Sequence, residues 1–344
     1  MIGGSTPGDQ AGPTTIAVDA MGGDHAPAAI VEGAAAAAAA FGIDVILTGR
    51  SAQLAPLLTA QDGASSRNGA ASAAHRGQVR IVTAEDSLAM DEGALASLRR
   101  PRSSAAIACQ LVRRGLAQAA VSAGSTGGTV AAARLRLRSL PGVMRPGLAV
   151  VLPTRPGPTL LVDAGAIADP KPEMLVAFAQ LGVAYAQVAY GIAEPRVGLL
   201  TIGEEPGKGN RLTRRAHELL AGKADVIVTD GFTGNVALKT LEGTAAFAAE
   251  QMRAALTGSA AARFGTLFQR RGLRELIGRM DAETYGGAAL LGLEGTVVIA
   301  HGAATAKGIT SACRLAADLV QSHITEKIKE RFGPGRGGHF LRRS

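Results

Sequence analysis

The sequence predicts an α/β protein whose helices cover both faces of a mostly parallel sheet. Three observations carry this. Short apolar runs of strand length alternate with Ala-rich runs of helical period along the chain. Several of the strand-like runs end in glycine-hydroxyl loops that open directly into a helix, the order expected of βαβ units. Hydrophobic residues make up 47% of 344 residues and glycine numbers 45, enough apolar material for one large buried sheet and enough glycine to turn the chain at its edges. The expected organisation is one domain over residues 15–331, after a Gly-, Pro-, Ser- and Thr-rich leader at 1–14 and before a mobile basic tail at 332–344.

The first unit is the apolar strand Thr15–Val18, the loop Asp19-Ala20-Met21-Gly22-Gly23-Asp24-His25-Ala26-Pro27 and a helix over Ile30–Phe41. Its paired glycines are not spaced as G-x-G-x-x-G, and no Lys-Ser/Thr follows, so it is neither the dinucleotide fingerprint nor a P-loop. Asp19, Asp24 and His25 orient a substrate or build a hydrogen-bonded loop; two acids and one His are a thin ligand set, and no metal is expected. Strands are expected at Asp44–Thr48 and Val79–Thr83, separated by a polar surface stretch, Ser51–Gly77. The cluster Leu98-Arg99-Arg100-Pro101-Arg102-Ser103-Ser104 precedes a helix over Ala105–Arg114. Ser103 or Ser104 can cap that helix, so three arginines crowd its positive end, as solvated charges or as anion contacts.

The strand Ala119–Val121 ends in Ser122-Ala123-Gly124-Ser125-Thr126-Gly127-Gly128 before a helix over Thr129–Leu137. Strands at Leu148–Leu152 and Thr159–Val162 follow, the second ending in a loop that runs from Asp163 to Pro172. Lys171 stands at the head of the helix Glu173–Tyr185, where a cation opposes the helix dipole unless an anion binds. The strand Arg196–Ile202 closes in Gly203–Asn210, where Lys208 and Asn210 suit a phosphate or a solvated turn, and a helix over Leu212–Leu220 comes next. The buried run Ala224–Thr229 leads into Asp230-Gly231-Phe232-Thr233-Gly234-Asn235 and a helix over Val236–Met252. Gly231 and Gly234 allow a close backbone approach, Thr233 and Asn235 offer polar groups, and the helix start presents unpaired N–H groups. A phosphate fits that description, and so does a plain capped turn. In an open parallel sheet such loops gather on one edge, so these turns are expected to converge there.

Within about 247–281, Phe264, Leu267, Phe268 and Leu273 interleave with Arg263, Arg270, Arg271 and Arg274. This protruding helical hairpin, basic and amphipathic, suits packing on a second subunit or docking on an anionic membrane surface. The stretch Tyr285–Leu293 is glycine-punctuated and leads to the strand Thr296–Ala300, which ends in His301-Gly302. A His there polarises a carbonyl, protonates a leaving group or holds the loop. One helix is expected from Ala303 to about Arg331.

A formal net charge of +8 points to anionic partners such as phosphate, an acidic carrier protein or anionic lipid. With no Trp and 3% aromatics, base stacking has little to work with, and no nucleic acid is expected. Cys109 and Cys313 lie in apolar helical contexts and read as buried reduced thiols of a cytoplasmic protein. No apolar run is long enough to span a membrane, and the N-terminus lacks the order of a signal peptide.

The motifs I-A-V-D-A-M-G-G-D-H-A-P (Ile16–Pro27) and D-V-I-V-T-D-G-F-T-G-N (Asp225–Asn235) are long and specific. Together with Ser122–Gly127, Asp163–Glu173, Gly203–Asn210, Tyr285–Leu293 and Ala300–Gly302, they resemble the bacterial phosphate acyltransferases of phospholipid synthesis, the PlsX family. The resemblance runs from Thr15 over nearly the whole chain. It implies a three-layer α/β/α sandwich akin to phosphotransacetylases and isopropylmalate-type dehydrogenases, and transfer of a fatty acyl group from an acyl carrier protein thioester to inorganic phosphate. It also implies no cofactor, a homodimer, peripheral attachment of a cytoplasmic protein to the membrane through the hairpin, and a downstream glycerol-3-phosphate acyltransferase as partner. The chain departs from the family pattern in having Ser125 and Ile167 where Asn is usual, and in lacking a further strand and polar turn after Leu220.

Phosphate is already a dianion near neutral pH, so as a nucleophile it needs positioning more than deprotonation. Lys171, His301 and Asp230 are therefore the expected catalytic residues. Asp19, Gly22, Gly23, Asp24, His25, Ser122, Gly124, Ser125, Thr126, Gly127, Asp163, Lys208, Asn210, Gly231, Thr233, Gly234 and Asn235 are the expected substrate contacts. No acyl-enzyme is expected, because neither cysteine lies in a motif loop and no Ser-His-Asp order is evident. A coenzyme A-dependent phosphate acetyltransferase and a catalytically silent membrane or carrier-protein adaptor are the rival readings.

Overall fold

A computed structural model describes residues 12–67, 77–154, 157–201, 212, 225–257, 283 and 286–332. Its strands are β1 (Thr15–Asp19), β2 (Asp44–Gly49), β3 (Val79–Thr83), β4 (Ala119–Ser122), β5 (Gly147–Pro153), β6 (Pro158–Val162), β7 (Val197–Leu199), β8 (Val226–Val228), β9 (Ala288–Leu291) and β10 (Thr296–Ile299). They form one sheet in the order β3-β2-β1-β4-β10-β9-β5-β6-β8-β7. The helices are α1 (Ala28–Phe41), α2 (Ser51–Arg67), α3 (Ala94–Arg99), α4 (Ser104–Arg113), α5 (Thr126–Leu137), α6 (Pro172–Tyr190), α7 (Gly231–Thr257), α8 (Ala306–Gln321) and α9 (Ile324–Phe332).

Alternation along the strands divides the core into the two halves of a sandwich. Ile16, Val18, Val45, Leu47, Leu160 and Val162 face one side, where α1, α6, α8 and α9 pack. Ala17, Ile46, Leu161 and Val297 face the other, against α4, α5 and Leu238 of α7. These strands are apolar on both faces because helices cover both, which is the patterning the sequence shows.

The one-edge convergence expected of the loops is not what the sheet provides. β10 pairs antiparallel with β9, β9 with β5, and β5 with β6. Three reversals leave β6 and β8 running opposite to β1, β4 and β10, which are mutually parallel. The loops after β1, β4 and β10 therefore open on one edge and those after β6 and β8 on the other. β9, four residues long and not announced by the glycine-punctuated stretch before His301, reverses on both sides and so sets β5 parallel to β10; the β5–β6 hairpin supplies the net reversal. Gly292 (φ 92°) helps turn the chain between β9 and β10.

Three further differences are local. Much of the stretch read as polar surface is helix α2, and α3 takes in Leu98 and Arg99, the first residues of the arginine cluster. The last helix breaks at His323 (φ 53°) into α8 and α9. β7 pairs directly and in parallel with β8 at the end of the sheet. The leader to residue 11, the loop with Lys208 and Asn210, the hairpin beyond Thr257, Tyr285 and the tail from 333 lie outside the described residues. Among the described residues no helix is long and apolar enough to cross a membrane.

Candidate functional site

On the first edge, the loop after β1 packs backbone to backbone on the loop after β4. A Cβ on Gly22 would stand 2.8 Å from Gly124 Cα and 2.6 Å from Asp19 Oδ2, so these glycines serve loop-to-loop contact. Asp19 is 3% exposed. It accepts from the Ser122 hydroxyl at 2.7 Å and from the Met21 N–H at 3.2 Å, while Ser122 Oγ accepts from the Gly124 N–H. Burial pushes the Asp19 carboxyl above its ordinary pKa, against the pull of Ser104, Ser122 and backbone donors. Asp24 donates its N–H to the Gly302 carbonyl, which ties in the loop after β10. Gly23 takes φ 114° beside that carbonyl. The Asp24 and His25 side chains are exposed.

Ser125 caps α5. It donates to the Glu92 carbonyl at 2.6 Å and accepts from the Gly128 N–H, so its hydroxyl is engaged inside the protein. Thr126 and Gly127, in the first turn of α5, are half-buried and exposed respectively. Helix geometry leaves their N–H groups without intrahelical acceptors.

The second edge is built around Asp163, which is fully buried. Its Oδ1 accepts from the N–H groups of Leu148, Gly165 and Ala166, and its Oδ2 from Ile167. Burial raises its pKa and those four donors oppose the shift. Here too the glycines have a packing reason: a Cβ on Gly234 would lie 1.9 Å from the Asp163 carbonyl oxygen, and one on Gly231 would lie 2.7 Å from that of Ile167. Asp230 caps α7, its Oδ1 accepting from the Thr233 N–H and its Oδ2 from the Thr233 hydroxyl, at 2.7 and 2.8 Å. Asn235 lies exposed over Gly165, and Lys171 is exposed at the N-cap of α6.

The two edges meet through α7. Nine residues after Asp230, about 13 Å along the helix axis, Lys239 Nζ lies 2.7 Å from Nε2 of His301 at the end of β10. Glu242, one turn on, accepts from Lys239 at 2.8 Å and stands 3.9 Å from the imidazole. The Ala303 N–H donates to His301 Nδ1, so the neutral ring carries its proton on Nε2, facing the lysine. Both groups are then donors, so their 2.7 Å approach is not a hydrogen bond, and an oxyanion accepts from both once the two nitrogens part to admit it. Lys239 and Glu242 were not singled out in the sequence, where a Lys-x-x-Glu spacing within a helix reads as a surface pair.

Of the expected residues, the structure gathers Asp19, Gly22, Gly23, Asp24, His25, Ser122, Gly124, Ser125, Thr126, Gly127 and His301 at one edge. Asp163, Lys171, Asp230, Gly231, Thr233, Gly234 and Asn235 are gathered at the other. No group of three His, Cys, Asp or Glu side chains suited to a metal occurs among the described residues.

Comparison with known proteins places this architecture. The profile of the family described as "Fatty acid synthesis protein" matches residues 14–327. The chain is 59% identical over 340 residues to a phosphate acyltransferase of Thermobifida fusca, covering 93% of this chain and 91% of that protein. To a phosphate acyltransferase of Thermus thermophilus it is 42% identical over 334 residues, covering 92% and 98%. Among solved structures it resembles a phosphotransacetylase from Streptococcus pyogenes (TM-score 0.55, 18% identity, 90% of this chain and 94% of that one). It also resembles the EutD phosphotransacetylase from Staphylococcus aureus (TM-score 0.53, 15% identity, 90% and 94%). Those two likenesses bear on the fold, and they agree with a sandwich of helices around a mostly parallel sheet.

Proposed function

This chain belongs to the fatty acid synthesis protein family of phosphate acyltransferases, and from that premise we propose that it moves a fatty acyl group from an acyl carrier protein thioester to inorganic phosphate, yielding the acyl phosphate used in phospholipid synthesis. The observation that carries the reading is the meeting of Lys239 with His301 between the two loop edges. Phosphate held there is charge-neutralised by the ammonium and oriented by the imidazole N–H, and it needs no base because it is already anionic. The free N–H groups at the start of α5 serve the thioester carbonyl, whose developing oxyanion such donors stabilise. The thiolate leaves without obligatory protonation. His301 is the group placed to supply a proton if one is used, and Lys171 extends the positive field from the second edge. The buried carboxylates Asp19 and Asp163, with Asp230, position the loops and do not touch the reacting atoms.

The same reading includes a homodimer attached peripherally to an anionic membrane. The exposed apolar residues Phe232, Val236, Leu241 and Phe247 along α7 support it, and sedimentation and vesicle flotation test it. Acyl transfer itself is tested by supplying purified protein with acyl carrier thioester, phosphate and hydroxylamine. Phosphate-dependent acyl hydroxamate is expected, with long-chain carrier thioesters preferred to acetyl coenzyme A. Preference for the acetyl substrate makes it a phosphate acetyltransferase, and no hydroxamate from any thioester leaves only an adaptor.

A further inference from the structure

Away from the Lys239–His301 cleft, a groove of about 260 Å³ runs between α3, α4 and α5, lined by Ser97, Leu98, Pro101, Ala106, Leu135 and Arg136, among others. Its edges carry large apolar side chains in the open, with Leu95 70% and Leu98 56% exposed. Within it, Ser97 is 2% exposed and its hydroxyl has no hydrogen-bond partner among the described residues. A buried hydroxyl left unpaired is costly, and here it faces a space that another molecule can enter. Arg136 donates to the Pro101 carbonyl and so ties α5 to the turn before α4. Arg99 and Arg102 are exposed and have no acidic partner among the described residues, whereas Arg100 is paired with Glu92. The acids close in sequence are Asp86, exposed and bridged to Ser103 beside Arg102, and Asp91 and Glu92, at the end nearest α5's first turn. The elements that wall the groove are tied to the first edge of the site, because Ser125 at the start of α5 bonds the Glu92 carbonyl just before α3. From Gly127 to Leu135 is about 12 Å along α5.

We propose that this groove docks the acidic carrier protein that delivers the acyl thioester, with carrier carboxylates on Arg99 and Arg102, apolar side chains on Leu98 and Leu135, and one polar group on the Ser97 hydroxyl. The inference rests on the acyl transfer proposed above and adds where the donor sits. Unpaired arginines around exposed leucines match an acidic, amphipathic surface in charge and polarity. A thioester on a flexible arm then reaches the start of α5 without the carrier body entering the cleft.

The test uses the full-length protein and holo acyl carrier protein. In one variant Arg99→Glu is combined with Arg102→Glu; in a second, Leu98→Ala is combined with Leu135→Ala. All four side chains are exposed or intermediate, so both variants are expected to keep the wild-type melting temperature. Binding by calorimetry is expected to weaken at least tenfold in each, with loss of salt dependence in the charge-reversed one. The KM for carrier thioester is expected to rise while kcat with an acyl pantetheine thioester, which has no carrier body, stays at the wild-type value. Unchanged carrier affinity in both variants overturns the inference, as does loss confined to anionic vesicle binding or to self-association. The binding titration needs no turnover, so an inactive wild type that still binds the carrier through this groove sinks the proposed reaction and leaves the docking site standing.

Discussion

Lys239 Nζ sits 2.7 Å from His301 Nε2, joining a helix that starts at one edge of the sheet to a strand that ends at the other. The pair is held from both sides, by Glu242 beneath the lysine and by the Ala303 N–H on the far ring nitrogen. Neither side chain is free to swing without breaking a second contact.

Replacing Lys239 with Met removes the only charge of this pair that faces a bound anion. Acyl phosphate formation is expected to fall about 10²–10³-fold in kcat/KM, with the phosphate KM rising. His301→Gln keeps a side-chain N–H and is expected to lose less. Hydroxylamine trapping at varied phosphate measures both, and a Lys239→Met enzyme with wild-type phosphate kinetics removes the lysine from the site.

Asp19 gives a pH signature. Its pKa is raised from 3.8, chiefly by burial. A raised carboxyl contributes stability that is complete below its unfolded value and is lost as pH rises through the folded one. The stability difference between the wild type and Asp19→Asn is therefore expected to shift against the wild type on going from acid toward neutral pH. Urea titrations of both proteins across that range measure it, and a flat difference contradicts the raised value.

Gly234 and Gly243 lie on the same helix and are expected to respond in opposite ways to alanine. At Gly234 the new methyl meets the Asp163 carbonyl at 1.9 Å, and at Gly243 nothing among the described residues lies within 4 Å. Gly234→Ala is expected to destabilise by about 3 kcal/mol as α7 is pushed off the Asp163 loop. Gly243→Ala is expected to stabilise by about 1 kcal/mol through helix propensity alone. Chemical denaturation of the two variants decides both.

Both cysteines are predicted to be silent. Cys109 and Cys313 are buried, and burial pushes each thiol up to about 12. At pH 8 neither is expected to react with a thiol reagent until the protein unfolds. The double variant Cys109→Ala/Cys313→Ala is expected to retain acyl transfer, while loss of turnover with intact folding points instead to a covalent acyl-enzyme.

Much of the candidate site was legible because its signals are local. The loops at Asp19, Ser122, Asp163 and Asp230 each follow an apolar strand and precede a helix, and a few residues of sequence contain that pattern. Their division of labour was not legible. Ser122, Ser125 and Thr233 look in sequence like donors for a ligand, yet Asp19, Glu92 and Asp230 engage them. Gly22, Gly231 and Gly234 look like room for an anion and are instead filled by neighbouring backbone and side chains.

Period, composition and the two long motifs are short-range properties, and from them alone came the α/β class, the strand-turn-helix units and the family. Two things depended on which distant segments pair. Four residues at Ala288–Leu291, wedged between β10 and β5, set β5 parallel to β10, so the β5–β6 hairpin turns β6 and β8 the other way and sends the loops to opposite edges. The Lys239–His301 contact then joins positions 62 apart. No local pattern encodes either, because strand neighbours and helix crossings are chosen by the packing of the whole sheet.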